Sequence, residues 1–119
     1  MDGRHTFSKR QRLQRNSQFR HVYDHGRRVE GRLAVLYALD TSDKPRALGV
    51  VTSRKIGGAV VRNRARRLLR EAYRLNQHQL QDHFQIVMVA RNSINGKKRQ
   101  DVEACLLDLF RVAGLLCAA

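Results

Sequence analysis

The chain has 119 residues and a formal net charge of +14, a length that fits one domain and leaves no room for a second. Nineteen of its 24 cationic residues are arginine, whose planar guanidinium pairs with phosphate and stacks on bases, so the composition favours nucleic-acid binding. One proline and eight glycines exclude collagenous and low-complexity classes. No apolar run approaches the roughly 18 residues of a membrane span or resembles a signal peptide. We therefore expect a cytoplasmic domain without a membrane partner.

That domain is expected to span residues 1–119, with a flexible basic segment over 1–12 and a flexible tail over 114–119. Cys105 and Cys117 stand twelve positions apart without a CxxC motif, which predicts reduced structural thiols rather than a disulfide or a zinc ribbon. His21 and His25 have a spacing that could grip a metal ion, but no supporting ligand motif is nearby, so we interpret them as exposed. We expect no metal ion and no small-molecule cofactor on the protein.

The first half of the chain predicts one helix and two strands. Apolar spacing places a short helix over 17–23, and Gly26 can end it. The β-forming runs 32–40 and 47–53 are separated by a loop of about five residues, which predicts a hairpin. A weak signal at Val29 indicates an additional short strand.

The second half begins with a long helix predicted over Ala59–Asn76. A buried strand over 85–90, a polar connection over 92–98 and a terminal amphipathic helix follow. The fold class is therefore an α/β domain of the α+β two-layer type: a mixed sheet of about four strands packed by helices, in the order α-β-β-(β)-α-β-α. The general rule for a βαβ crossover would make it right-handed. The apolar face expected to pack on the sheet consists of Val61, Ala65, Leu68, Leu69, Ala72 and Leu75.

The positive charge is concentrated in parts of the chain. Residues 54–74 hold eight cations against the single acid Glu71, whereas residues 80–119 hold five cations against four acids. Like charges at i,i+4 repel by a few tenths of a kcal/mol per pair, and a solvated helix normally interleaves acids. We interpret the face as a nucleic-acid contact rather than a solvated surface. Its row at i+4 consists of Arg62, Arg66, Arg70 and Arg74, flanked by Asn63 and Arg67.

Two features leave alternatives open. Gly57-Gly58 can form a turn that needs positive φ, and it can also let a phosphate dock at the helix N-terminus. Phe19, Tyr23 and Tyr37 have the spacing of core residues, yet an aromatic surface beside arginines is also what single-stranded nucleic acid stacks on. Nothing in the sequence predicts a nucleophile with its base, or a carboxylate cluster, so catalytic residues are not expected.

Residues 48–74, with the sequence LGVVTSRKIGGAVVRNRARRLLREAYR, closely resemble the signature of the bacterial ribonuclease P protein subunit. The RNR element of that signature stands at Arg62-Asn63-Arg64. The resemblance covers most of residues 9–110 and includes Arg12-Leu13, Phe19, Val22-Tyr23, Gly26, Val35-Leu36-Tyr37 and the strand Ile86 to Ala90.

In that family the catalyst is an RNA, and the small basic protein helps it bind precursor tRNA, remove the 5′ leader and tolerate lower magnesium. The resemblance therefore implies an accessory subunit of an endoribonuclease, without catalytic residues of its own. Its partners would be the catalytic RNA, which requires Mg²⁺, and precursor tRNA. A structural RNA-binding protein of ribosomal type and a metal-dependent nuclease in its own right are the rival classes.

The resemblance also implies roles for residues. A cleft between the first helix and the sheet would hold the single-stranded leader, and Val51 there stands where a small hydroxyl residue can occur in the family. The βαβ crossover would be left-handed, an exception to the general rule. The implied RNA-binding residues are Lys55, Arg62, Asn63, Arg64, Arg66, Arg67 and Arg70. The implied leader-cleft residues are Phe19, Tyr23, Tyr37, Val51 and Arg62.

Overall fold

The computed structural model describes residues 12–41 and 44–117. In chain order the helices and strands are α1 (Asn16–His25), β1 (Arg27–Glu30), β2 (Ala34–Asp40), β3 (Ala47–Val51), α2 (Ala59–Asn76), β4 (Phe84–Ala90) and α3 (Arg99–Ala113). This order confirms the predicted one, α2 has the predicted bounds, and the weak signal at Val29 corresponds to β1. The predicted flexible ends over 1–11 and 118–119 lie outside the described residues.

The four strands form a mixed sheet in the order β1-β2-β4-β3. β2 pairs antiparallel with β1 and β4, whereas β3 pairs with β4 in parallel. The predicted hairpin between 32–40 and 47–53 is therefore wrong, because β4 lies between these two strands. β4 is a nearly continuous apolar run, which suits a central position buried on both faces. The end of β2 and the start of β3 therefore lie two strand spacings apart across β4, about 10 Å.

Alternating side chains of the sheet enter two hydrophobic clusters. The larger cluster lies under α2 and α3 and includes Leu36, Leu48 and Met88. The smaller one lies under α1 and is built around Val22 and Val87. The sheet thus presents one face to two helices and part of the other face to α1.

The buried face of α2 differs in part from the prediction. Ala65, Leu69 and Ala72 are buried, but Val61 keeps 38% of its surface exposed. Tyr73 is fully buried instead, because its hydroxyl accepts a hydrogen bond of 2.9 Å from Arg46 Nε. Arg46 Nη1 also donates to the carbonyl oxygens of Leu80 and Gln81, at 3.2 Å each. One arginine thereby ties the start of β3 to the end of α2.

Residues 114–117, expected to belong to a flexible tail, pack against the domain. Gly114 ends α3 with a φ of 76°, and the next side chain, Leu115, is fully buried. The Cys117 N–H donates to the Gln79 carbonyl at 2.8 Å. Cys105 and Cys117 are both free thiols. Within the described ranges no helix has the length and apolar character to cross a membrane.

Candidate nucleic-acid interface

A depression of about 530 Å³ lies between α1 and the end of β3. Phe19 approaches β3 so closely that a Cβ added to Gly49 would lie 2.3 Å from Phe19 Cε1. The ring therefore occupies the space that any side chain at position 49 would fill. An isolated glycine within a strand pattern is the sequence signal for such a close approach. We call this depression the aromatic cleft; it is lined by Asn16, Phe19, Arg20, Tyr23, Asp24 and Val51.

Two tyrosines meet at one side of the aromatic cleft. The rings of Tyr23 and Tyr37 pack edge to face with centroids 4.8 Å apart, and the Tyr37 hydroxyl accepts a hydrogen bond from Arg28 Nε at 3.2 Å. Burial, and then the neighbouring Tyr37, raise the pKa of Tyr23. Tyr23 nevertheless keeps 38% of its surface exposed. The Tyr37 ring thus supports the Tyr23 ring on one side, and the exposed part of the Tyr23 ring can contact a ligand.

A second shallow groove, of about 320 Å³, runs along α2. Arg66 Nη1 donates to Thr52 Oγ1 at 2.6 Å, and Arg66 Nη2 donates to the Asn63 side chain. Thr52 directly follows Val51, which lines the aromatic cleft. This hydrogen bond therefore links one residue of the second groove to the neighbour of Val51 in the chain. We call the second one the arginine groove; it is lined by Asn63, Arg66, Arg67, Arg70 and Glu71.

Guanidinium groups crowd one another in the arginine groove. Burial, and then the nearby charges of Arg12 and Arg66, lower the pKa of Arg70. Arg12 lies near the arginine groove because its backbone forms an isolated parallel β-bridge with Leu48 of β3. Like charges held this close favour a bound polyanion, since phosphate groups would remove the repulsion.

The last arginine of the predicted row, Arg74, is paired with an acid and does not add to the uncompensated charge. Arg74 donates to the Glu71 carboxylate on its own helix, and this contact lowers the pKa of Glu71. Acid and base therefore compensate each other at the C-terminal end of α2. The uncompensated charge of the helix lies in its first three turns.

Three of the five leader-cleft residues implied by the resemblance line one depression: Phe19, Tyr23 and Val51. Tyr37 lies against Tyr23, and Arg62 is half-buried on α2 outside that lining. Of the implied RNA-binding residues, Asn63, Arg66, Arg67 and Arg70 share the arginine groove. Arg64 and Lys55 are exposed nearer the start of α2. The residues that sequence reasoning missed are Gly49, Thr52 and Arg12.

The N-terminus of α2 is open. Gly57 has a φ of 152°, so the predicted turn with positive φ is confirmed, whereas Gly58 has an ordinary φ of −72°. No side chain caps the helix and its first turn holds no acid. Phosphate docking at this place stays a prediction. His21 and His25 are exposed, with ring centroids 4.6 Å apart, and in the part of the chain that the structure describes no three His, Cys, Asp or Glu side chains form a group that could hold a metal ion.

Comparisons with known proteins match almost the whole chain. A family model described as Ribonuclease P matches residues 7–114. The ribonuclease P protein component of Clostridium botulinum strain Langeland is 39% identical over 108 residues, which cover 90% of this chain and 97% of the relative. That of Clostridium acetobutylicum is 40% identical over 111 residues, covering 91% and 92%.

Solved structures agree with the fold. The ribonuclease P protein from Thermotoga maritima has a TM-score of 0.77 and 26% identity, covering 85% of this chain and 96% of that one. The Staphylococcus aureus ribonuclease P protein has a TM-score of 0.81 and 24% identity, covering 90% and 98%. The predicted α+β class is therefore confirmed.

A mixed four-stranded sheet with a cationic helix and an aromatic cleft places the chain among small basic α+β proteins whose surface suits RNA. The family model and the relatives together narrow that class, and the chain belongs to the ribonuclease P protein family. Proteins of this family are accessory subunits of an endoribonuclease in tRNA processing, and they work with the ribonuclease P RNA as a ribonucleoprotein. The resemblance found in the sequence is confirmed.

Proposed function

We propose that this protein binds the catalytic RNA of ribonuclease P through the arginine groove, and the 5′ leader of precursor tRNA through the aromatic cleft. Bound there, the leader is held in register while the RNA cleaves it to give the mature tRNA 5′ end. Mg²⁺ ions held by the RNA supply the hydrolytic chemistry. The protein acts in the cytoplasm and contributes position and charge.

The observation that supports this proposal is the hydrogen bond that connects the arginine groove to the end of β3 beside the aromatic cleft. The 2.6 Å hydrogen bond from Arg66 to Thr52 fastens the middle of α2 to the residue that follows Val51. The hydrogen bond thus fixes the position of the guanidinium groups of the arginine groove relative to the end of β3 that lines the aromatic cleft. Such an arrangement suits an RNA strand whose bases stack at one end and whose phosphates are neutralised at the other.

The two halves would contribute differently to binding. Stacking of a leader base on an aromatic side chain contributes about 1–3 kcal/mol and tolerates any sequence, because every base has a π face. The arginines neutralise phosphates and release condensed counterions, a contribution that falls as salt rises. Fixed guanidinium charges also reduce the repulsion between substrate and catalytic RNA, so less Mg²⁺ is needed to bring the two together.

Reconstitution tests the proposal. Cleavage of precursor tRNA by the ribonuclease P RNA, with and without this protein, is measured across Mg²⁺ concentrations. We expect the protein to raise the cleavage rate most strongly at low Mg²⁺. An unchanged rate at low Mg²⁺ would indicate a structural RNA-binding protein of ribosomal type. Cleavage by the purified, RNA-free protein would instead indicate a metal-dependent nuclease.

A further inference from the structure

Residues 91–98, which contain the polar connection predicted over 92–98, lie at the same end of the sheet as the start of α2. Val51 at the end of β3 stands opposite Val89 of the parallel strand β4. Both strands therefore end at the same end of the sheet. There β3 continues into the turn at 54–56, and β4 continues into residues 91–98. The topology places two cationic segments side by side that are far apart in the sequence.

Two hydrogen bonds fasten these segments together. Asn95 Nδ2 donates to the Ile56 carbonyl at 3.0 Å, and Arg64 Nη2 donates to the Lys97 carbonyl at 2.5 Å. The first bond joins the turn that contains Lys55, and the second joins the exposed side of α2. Lys55, Arg64 and Lys97 are therefore held around one place.

The other side of the 91–98 segment is fastened to the turn between β1 and β2. The Arg91 N–H donates to the Leu33 carbonyl at 2.9 Å, and Ser93 Oγ donates to the Arg32 carbonyl at 2.5 Å. The Lys98 N–H donates to the Asp101 carboxylate at 2.9 Å. The backbone of the segment is thus fixed at both ends and in its middle, so its lysines start from a defined place.

The charge of this segment is not compensated within the described residues. Lys97 and Lys98 are exposed, and residues 83–100 contain no acid. The neighbouring cations form ion pairs, since Arg91 Nη1 lies 3.6 Å from Glu30 Oε1 and Arg99 Nε lies 3.0 Å from Glu103 Oε2. Across a depression beside Lys97 stand Asp101, which accepts the Lys98 N–H, and Asp108, which accepts from Arg111. Both lysine ammonium groups remain without an ion pair in the described ranges.

We propose that Lys97 and Lys98 form a further phosphate-contact site, which extends the RNA-binding surface from Lys55 and Arg64 of the α2 end onto the segment before α3. The inference rests on the proposed function, because it extends the same RNA interface. The ligand is an RNA backbone, and its source is either the catalytic RNA or the precursor tRNA. Lysine serves here as a point charge for phosphate, without base selectivity.

The test removes the two charges and leaves the fold intact. In the variant Lys97→Ala with Lys98→Ala, the Lys97 carbonyl still accepts from Arg64 and the Lys98 N–H still donates to Asp101. The salt dependence of binding is measured for the catalytic RNA alone, and for precursor tRNA bound to the reconstituted holoenzyme. Each lost phosphate contact lowers the magnitude of the slope of log K against log salt by about 0.7–0.9. We expect a fall of about 1.5 in one of the two measurements.

The matched control removes two cations elsewhere. Lys44→Ala with Arg27→Ala lowers the net charge equally, at two exposed positions, one before β3 and one at the start of β1. A fall for the catalytic RNA assigns the lysines to that RNA, and a fall seen only for precursor tRNA assigns them to the substrate. Slopes equal to those of the control in both measurements would overturn the lysine site and leave the proposed function standing. Failure of the unchanged protein to bind or stimulate the catalytic RNA would overturn the proposed function itself.

Discussion

Gly49 determines how closely α1 can approach the sheet. Its missing side chain leaves room for the Phe19 ring, which lies where a Cβ would stand. The glycine is therefore a positioning residue for the aromatic cleft, although it does not line the cleft itself. Any side chain at this position must move Phe19 or lift α1 away from β3.

The variant Gly49→Ala is expected to lose about 1–3 kcal/mol of stability, the usual cost of forcing extra volume into a packed site. We also expect weaker holoenzyme binding of precursor tRNA with a leader, because Phe19 is displaced. Urea unfolding and the two affinities, with and without leader, measure these effects. Adding Phe19→Leu should restore part of the lost stability. Gly58→Ala is the steric control, since an added Cβ there meets nothing within 4 Å; an equal loss in both glycine variants would contradict the argument.

Tyr23→Ala tests the role of the exposed ring. We expect the affinity of the holoenzyme for precursor tRNA to fall by about 1–3 kcal/mol, the contribution of one stacked base, with a much smaller change for mature tRNA. Competition binding with substrates that differ only in the leader measures the difference. Tyr23→Phe, which keeps the ring, should bind almost as the unchanged protein does. An equal loss for both tRNAs would mean that Tyr23 supports the core through Tyr37.

At the scale of the element, α2 combines two roles on opposite sides. Its buried side packs on the sheet and α3, and its arginines crowd one another on the other side. The variant Arg66→Ala with Arg70→Ala is expected to weaken binding of the catalytic RNA and to lower the magnitude of its salt slope by about 1.5, because two phosphate contacts are lost. Filter binding across salt concentrations measures both quantities.

The control for this prediction is Lys44→Ala with Arg111→Ala. Lys44 is exposed before β3 and Arg111 is paired with Asp108 on α3, so this variant loses the same net charge outside the arginine groove. We expect the salt slope of this control to stay near that of the unchanged protein. If both double variants shift the slope equally, only the net charge of the protein matters and the arginine groove has no specific role.

The sequence predicts α2 well because its periodicity is strong and local. Its bounds and its row of arginines follow from residues three and four apart. The partner of β3 does not follow in this way, because a short loop between two strands fits a hairpin and also fits strands separated by a third. The ion pair of Arg74 with Glu71 was available from their i,i+3 spacing. The contact of residues 91–98 with α2 was not, since it depends on the order of strands in the sheet.

At the scale of the whole molecule, Arg46 serves the fold rather than the RNA. Its guanidinium is mostly buried and donates to Tyr73 and to two backbone carbonyls. In the composition, Arg46 is one of the 24 cationic residues that favour nucleic-acid binding. Its burial in the structure shows that it is not available to a ligand. The net charge of the chain therefore overstates the charge of the RNA-binding surface.

The variant Arg46→Met is expected to lose about 2–3 kcal/mol of unfolding free energy, because hydrogen bonds from a charged, buried donor are lost. Urea denaturation measures this loss. The salt slope for the catalytic RNA, measured on folded protein, should stay unchanged. Arg111→Met, at an exposed ion pair, should change stability by less than about 0.5 kcal/mol. An unchanged free energy of unfolding in Arg46→Met would show that the start of β3 is held by other contacts.

The central place of β4 has a consequence for protein synthesis. β3 leaves the ribosome before its hydrogen-bonding partner, and the whole of α2 lies between the two strands. Pairing across such a separation closes late, because the entropy of the intervening loop must first be overcome. A nascent chain that stops before Phe84 therefore presents a cationic amphipathic helix without the sheet that shapes the cleft. If the proposed function holds, such a chain attracts RNA through this helix without selecting the leader, because the aromatic cleft is complete only when β4 has joined the sheet.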